Sequence, residues 1–167
     1  TTYRVMAAEV VDAVVRELGR TPGVSPTTTI PLPGGERPLE EEVREATLAT
    51  GDADLGAHLA QAHGARWRRV WRLAEGDAAL ARPLVEGLPW LAAELAHAVD
   101  HEMAFTLADL LVRRTQVAFE TRDQGRAAAR VAAGIVAERL GWTAADVARE
   151  VAAYEREARR MFGVDEG

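Results

Sequence analysis

The sequence predicts an all-α protein, and three observations support this prediction. Apolar residues recur at helical spacing in one segment after another. Threonine, aspartate and glycine, which commonly begin or end helices, lie at the borders of these segments. The chain is also rich in alanine, the residue with the highest helix propensity. We therefore expect a compact orthogonal bundle of about six or seven helices, preceded by an N-terminal helix and a Pro/Gly-rich arm.

The first predicted helix runs from Thr2 to Leu18, and Gly19 can end it as a C-cap. One face of this helix carries apolar residues at helical spacing, namely Tyr3, Met6, Val10, Val14 and Leu18. Between Gly19 and Pro38 the chain contains five prolines and four glycines. This composition predicts an irregular arm rather than a helix.

Three helices are predicted directly after the arm. They cover Leu39–Ala49, Asp52–Gly64 and Ala65–Glu75, with Asp52 as an N-cap and Gly64 as a stop. A further helix begins near Pro89, and a short one is capped by Thr106.

The last two predicted helices are capped by Asp123 and Thr143. Their apolar positions are Ala128, Val131, Ile135, Val136 and Leu140 in the first, and Val147, Val151, Tyr154, Ala158 and Met161 in the second.

Composition excludes several classes of function. The formal net charge of -6 and the pI near 5.3 argue against a nucleic-acid partner, since such domains normally carry a strongly basic face. No apolar run approaches the roughly 18 residues that span a bilayer. The chain has no cysteine and no lysine, and its one serine, Ser25, lies in the Pro-rich arm. Covalent catalysis by thiol, amine or serine is therefore not expected, and a cytoplasmic location is compatible with the lack of cysteine.

The histidines of one predicted helix are a candidate metal site. His97 and His101 are four residues apart, with Glu94 and Glu102 nearby. The zinc-protease pattern would require a further histidine at position 105, where the chain has Phe105. We therefore expect no metal site, and interpret the two residues as a structural, hydrogen-bonded histidine pair.

The segment ARWRRVWR, residues 65–72, places Trp67, Val70 and Trp71 on one face. Arg68, Arg69 and Arg72 lie around the other side of the helix. The favoured interpretation is a buried tryptophan face and a solvated arginine face, while contact with an anionic membrane surface stays open.

A third cluster contains Asp109, Arg113, Arg114 and Thr115. Asp109 and Arg113 have the i, i+4 spacing of a helix-surface ion pair. The arginines could bind a carboxylate or phosphate ligand, but pairing with acidic neighbours such as Glu102 is the expected structural role. We treat these five residues as structural or interaction residues.

An ordered set of short motifs resembles the FAD-dependent (aerobic) glycerol-3-phosphate dehydrogenases. Taken along the chain, the motifs are Thr1–Arg4 with Met6–Ala8, Pro31–Gly35, His58–Leu59, His63–Gly64, Leu88–Glu94, His101–Glu102, Leu107–Asp109 and Arg113–Thr115. The resemblance covers essentially the whole chain, and its order is more specific than any single motif.

The resemblance implies a division of the chain into three parts. Residues 1–20 would be a helix left over from the FAD domain, 21–38 a linker arm and 39–167 the C-terminal helical domain. The parent enzyme would oxidise glycerol 3-phosphate to dihydroxyacetone phosphate and pass electrons through FAD to quinone. The dinucleotide-binding and substrate-binding parts of the family are not found here, and the chain opens on Thr1 rather than Met. We therefore expect an inactive fragment with no bound cofactor, whose main partner is the missing FAD/substrate domain.

The resemblance also assigns a cofactor-binding role to Thr1 and Thr2, which would lie against the edge of the flavin. The amides of a helix start favour negative charge, and reduced flavin is anionic. A homo-oligomer and a peripheral contact with the inner membrane face remain open. The alternative function is a stand-alone helical ligand-sensing or dimerisation module of a regulator.

Overall fold

The computed structural model describes residues 2–163, and within that range it has eight α-helices and no named β-strand. The helices are α1 Thr2–Glu17, α2 Leu39–Thr50, α3 Ala53–His63, α4 Trp67–Gly76, α5 Ala92–His101, α6 Val117–Glu120, α7 Arg126–Leu140 and α8 Ala144–Phe162. Short 3₁₀ turns at Pro26–Thr28 and Gly64–Arg66 and a π-helical turn at Asp109–Arg114 complete the regular structure. The predicted all-α class is confirmed.

Helix α5 lies at the centre of the bundle. Seven of its ten residues are buried, which is typical of a helix that is surrounded by other elements. Leu95 and Ala98 belong to a core shared with α7 and α8. Ala92, Ala93 and Ala96 belong to a second core shared with α2, α3 and α4. The two halves of the bundle are therefore joined through one small-residue helix.

Helix α1 buries none of its described residues. Its polar contact with the arm is a hydrogen bond from Arg4 Nη1 to the carbonyl oxygen of Thr27, at 2.8 Å. The arm in turn is tied to the end of α3, because the Ala65 amide donates to the Gly34 carbonyl oxygen at 2.8 Å. Gly64 has φ +53°, and a Cβ there would lie 2.1 Å from that oxygen, so this close approach requires glycine.

Two predicted helix starts are confirmed by side-chain caps. The Asp52 carboxylate accepts the amides of Asp54 and Leu55, and Thr143 Oγ1 accepts the amide of Asp146. The predicted start near Pro89 is wrong, since α5 begins at Ala92. The preceding segment is held in extended pairing instead, with the Leu84 amide donating to the Trp90 carbonyl oxygen at 2.7 Å.

The chain also differs from expectation between Thr106 and Val131. Thr106 Oγ1 accepts the Asp109 amide as predicted, but the turn that follows is π-helical, with the Thr115 amide donating to the Leu110 carbonyl five residues earlier. Asp123 acts from outside α7, where its carboxylate accepts the amides of Gly125 and Ala127, and Gly125 is the N-cap. Val131 was expected in the core, but it is 53% exposed.

Gly56 and Gly134 provide a matched test of this packing, because both lie within α-helices. A Cβ on Gly56 would lie 2.4 Å from the Thr47 backbone nitrogen of α2, whereas a Cβ on Gly134 meets nothing within 4 Å. We expect Gly56→Ala to lower the free energy of unfolding by about 1–3 kcal/mol. Gly134→Ala should raise it by about 0.5–1 kcal/mol. Urea unfolding measures both, and a neutral Gly56→Ala would contradict the close α2–α3 crossing.

Candidate functional site

All four histidines of the chain gather where α3 meets α5. The rings of His63 and His97 lie 5.6 Å apart, and those of His97 and His101 lie 4.9 Å apart. His58 packs edge-on against Trp90, with ring centroids 4.4 Å apart. The fold thus brings together two pairs of histidines that are distant in sequence.

The centre of this cluster is the Glu94 carboxylate, in a residue that is only 2% exposed. Glu94 Oε1 lies 3.0 Å from His58 Nε2 and 2.9 Å from His63 Nε2. Its Oε2 accepts the Leu91 amide at 2.7 Å, at the first turn of α5. Two side chains of α3 and the N-terminus of α5 are therefore held by one buried carboxylate.

Opposing effects set the charge of Glu94. Burial raises the pKa of this carboxyl, while the hydrogen bonds from His58 and His63 lower it, and the net effect is a pKa below the usual value. The position of Glu94 in the first turn of α5 adds the favourable effect of the helix dipole. The site consequently stabilises the charged form of a buried acid.

His97 is the other buried ionisable group of the cluster, with 1% of its surface exposed. Its Nδ1 has no hydrogen-bond partner among the described residues. Burial, followed by the nearby His63 and His101, lowers the pKa of His97 to about 4, so the ring is neutral near pH 7. The predicted hydrogen-bonded pair of His97 and His101 is wrong, because the rings are in contact without such a bond and the carboxylate binds His58 and His63 instead.

The predicted structural residues lie at the C-terminal end of α5 and the π-helical turn. Arg114 donates to the Glu102 carbonyl oxygen at 2.7 Å, and its Nε lies 3.6 Å from the Glu102 carboxylate. Arg113 Nη1 donates to Asp109 Oδ1 at 3.0 Å. Thr115 is buried, and its hydroxyl donates to the Leu110 carbonyl oxygen at 2.8 Å. These contacts connect the turn to α5, and Asp109 and Glu102 are the acidic partners of the two arginines.

The arginine-rich helix α4 has the expected buried face and exposed arginines, except at Arg68. Trp67 is buried and its Nε1 donates to Glu42 Oε2 at 2.7 Å, as a core tryptophan should. Arg68, however, is not a solvated residue, since its guanidinium group binds both Glu42 and Glu45. Glu42 is fully buried, so this pairing balances a charge inside the second core.

The resemblance assigns two residues, Thr1 and Thr2, to the edge of the flavin. Thr1 lies outside the described residues. Thr2 is the first residue of α1 and is exposed, and the first turn contains no acidic side chain. Among the described residues, no hydrogen bond joins Thr2 to the histidine cluster.

The arrangement defines a class of protein, an all-helical domain organised around a buried carboxylate–histidine network. The model of one family, described as the C-terminal domain of alpha-glycerophosphate oxidase, matches residues 25–147. The chain belongs to this family. The matched region begins in the arm and ends within α8, so it includes the whole histidine cluster.

Longer relatives have consistent names. The chain is 36% identical over 157 residues to glycerol-3-phosphate dehydrogenase 2 of Mycobacterium tuberculosis, and 38% identical over 157 residues to glycerol-3-phosphate dehydrogenase of Mycobacterium leprae. It is 33% identical over 163 residues to glycerol-3-phosphate dehydrogenase of Synechocystis. Each match covers 92% of this chain and 27% or 28% of the relative. The chain therefore spans about a quarter of their length, as their C-terminal domain, and the regulator alternative finds no support.

Within residues 2–163, no helix combines the length and the apolar character needed to cross a bilayer.

The role of the buried carboxylate can be tested with Glu94→Gln. The amide lacks the negative charge that His58 and His63 stabilise, so we expect a loss of about 3 kcal/mol in the free energy of unfolding. Glu120→Gln is the control, because Glu120 accepts a bond from Trp90 Nε1 at 2.7 Å but is exposed. That change should cost less than about 1 kcal/mol. Equal losses in denaturant unfolding would contradict the proposed importance of the network.

Proposed function

We propose that this chain acts as the C-terminal helical domain of an FAD-dependent glycerol-3-phosphate dehydrogenase. The complete polypeptide would oxidise glycerol 3-phosphate to dihydroxyacetone phosphate, with FAD as the first electron acceptor and quinone as the next. The names of the longer relatives support this activity for the complete polypeptide. The domain itself would support the catalytic part rather than carry out chemistry.

The observation that carries this role is the bare apolar face of α1. Its members are all at least half exposed: Tyr3 72%, Met6 58%, Val10 62%, Val14 53% and Leu18 68%. Full burial of one large apolar side chain contributes about 1.5–3 kcal/mol, so an uncovered stripe of this size favours a partner. Beside this stripe, Ala7, Ala8 and Val11 line a cavity with arm residues 22–27, so the arm approaches a neighbouring side of α1 and leaves the stripe bare.

We propose that the occupant of this stripe is the polypeptide that precedes the domain in the complete enzyme. The relatives of this chain extend well beyond the part that it matches. The additional polypeptide would be a partner that is joined covalently to α1. A covalently joined partner acts at high effective concentration, so modest contacts suffice to hold it. This accounts for an apolar face directly adjoining the start of the domain.

The assignment of Thr1 and Thr2 to the flavin edge belongs to the same proposal. In the complete enzyme the first-turn amides of α1 would face the anionic reduced flavin. The lack of an acidic side chain in that turn supports this role, because a carboxylate there would oppose the anion. FAD would thus be bound mainly by the preceding polypeptide, and this chain would contribute the first-turn amides of α1 to one side of the binding site.

A peripheral membrane contact and a homo-oligomer remain further hypotheses, together with a cytoplasmic location. The membrane hypothesis rests on Arg68, Arg69 and Arg72 of α4. Arg68 is already bound by Glu42 and Glu45, which leaves less free positive charge for lipid.

The proposal is tested on the complete polypeptide. We expect a yellow protein whose flavin absorbance bleaches when glycerol 3-phosphate is added without oxygen. Met6→Asp combined with Val10→Asp should reduce flavin content and activity severalfold, because two charges would be buried against the preceding domain. Val5→Asp is the control, since Val5 is 59% exposed but lies on the side of α1 shared with Asp12 and Arg16.

Two results would contradict the proposal. A complete polypeptide that binds flavin but does not bleach with glycerol 3-phosphate would refute the activity. Equal flavin content in the double variant, the Val5→Asp control and the unchanged protein would refute the role of the α1 stripe.

A further inference from the structure

The end of α3 and the end of α5 bring three potential metal ligands together. His63 is the last residue of α3, His97 lies on α5, and Glu102 is the C-cap of α5. One ligand atom from each of these residues lies within 4.8 Å of the others. The sequence pattern placed Glu94 and Glu102 near His97 and His101 and led us to expect no metal site, but it did not indicate that His63 lies beside them.

The side chains of this trio are poorly satisfied by the protein. His97 is 1% exposed and its Nδ1 has no partner among the described residues. Its Nε2 lies 3.8 Å from Glu102 Oε1, beyond hydrogen-bond distance. The Glu102 carboxylate is 3.6 Å from Arg114 Nε, which is also longer than a hydrogen bond. The nitrogen that faces Glu102 is therefore Nε2, which has no hydrogen bond among the described residues and is available to bind a metal ion.

His63 is held in the orientation typical of a metal ligand. Its Nε2 lies 2.9 Å from Glu94 Oε1, and an ionised carboxylate can only accept, so that nitrogen carries the hydrogen. The lone pair of the neutral ring is then on Nδ1. A carboxylate that fixes the tautomer of a histidine is the common outer partner in histidine–metal sites.

The charge around the trio is mixed. Arg66 and Arg69 lie near enough to His97 to disfavour a cation there. The carboxylates of Glu94 and Glu102 oppose them. His63 is the last residue of α3 and Glu102 is the C-cap of α5, so each of these two residues lies at the negative end of a helix dipole.

We propose that His63 Nδ1, His97 Nε2 and the Glu102 carboxylate form a site for a borderline divalent metal ion such as Zn²⁺. Two imidazoles and one carboxylate form a ligand set that zinc accepts, with a fourth position left for water. Ligands at about 2.0–2.1 Å from zinc in a tetrahedron are about 3.3 Å apart. Glu102, whose side chain is one-third exposed, is the residue that can move to close the site. The ion would clamp α3 to α5, and this inference is independent of the proposed function.

Zinc titration of the 167-residue chain after EDTA treatment and dialysis tests the site directly. We expect calorimetry to find one tight equivalent of Zn²⁺. The melting temperature should rise by about 5–10 °C when free zinc is a hundred times the dissociation constant.

Two variants test the proposed ligands, and a third variant is the control. Glu102→Gln should weaken zinc binding at least tenfold without altering the fold, because that carboxylate accepts no hydrogen bond from the described residues. His97→Leu, which fills most of the buried space of the imidazole ring, should also abolish the tight binding of one equivalent of Zn²⁺. Asp100→Asn is the control, since Asp100 lies on the same helix but pairs with Arg139. It should bind zinc like the unchanged chain.

The proposal is overturned by either of two results. One is the lack of a stoichiometric zinc site in the unchanged chain. The other is zinc binding that Glu102→Gln and Asp100→Asn affect equally, which would mean that exposed carboxylates bind the ion nonspecifically. Circular dichroism of each variant before titration separates a lost ligand from a lost fold.

Discussion

The burial of one negative charge, on Glu94, constrains the structure more than any other interaction. A carboxylate that leaves water is stable only when hydrogen bonds and opposite charge replace its hydration. Glu94 obtains these from His58, His63 and the Leu91 amide, so its contacts hold α3 against the first turn of α5. The same carboxylate orients His63, one of the two histidines of the proposed metal site. Fold and candidate site thus depend on the same buried acid.

The position of α5 explains how this local constraint reaches the whole domain. One face of α5 packs with α7 and α8, and another packs with α2, α3 and α4. A second buried acid, Glu42, repeats the arrangement in the half of the bundle formed by α2, α3 and α4, where Trp67 and Arg68 bind it. Helix α1 takes no part in either core, and its exposed stripe is the reason for assigning it to a neighbouring domain.

The sequence predicted the local features well, because helical periodicity and caps such as Asp52 and Thr143 act within a few residues. It failed where distant parts of the chain decide the structure. Nothing in the local pattern indicates that His63 lies beside His97, or that Arg68 forms an ion pair with Glu42. The acidic first turn of α5 was a signal that could have drawn attention to Glu94. The start of α5 was misplaced because pairing across the preceding loop, rather than Pro89, sets it.

A double-mutant cycle between Glu94 and His58 tests this account most directly. His58 is the suitable partner, because it bonds to Glu94 at 3.0 Å and does not belong to the proposed metal trio. If the carboxylate couples α3 to α5, Glu94→Gln and His58→Gln should show a coupling energy of about 1–3 kcal/mol in denaturant unfolding. Losses that add to within about 0.5 kcal/mol would contradict the claim, because they would mean that the two side chains stabilise the fold independently.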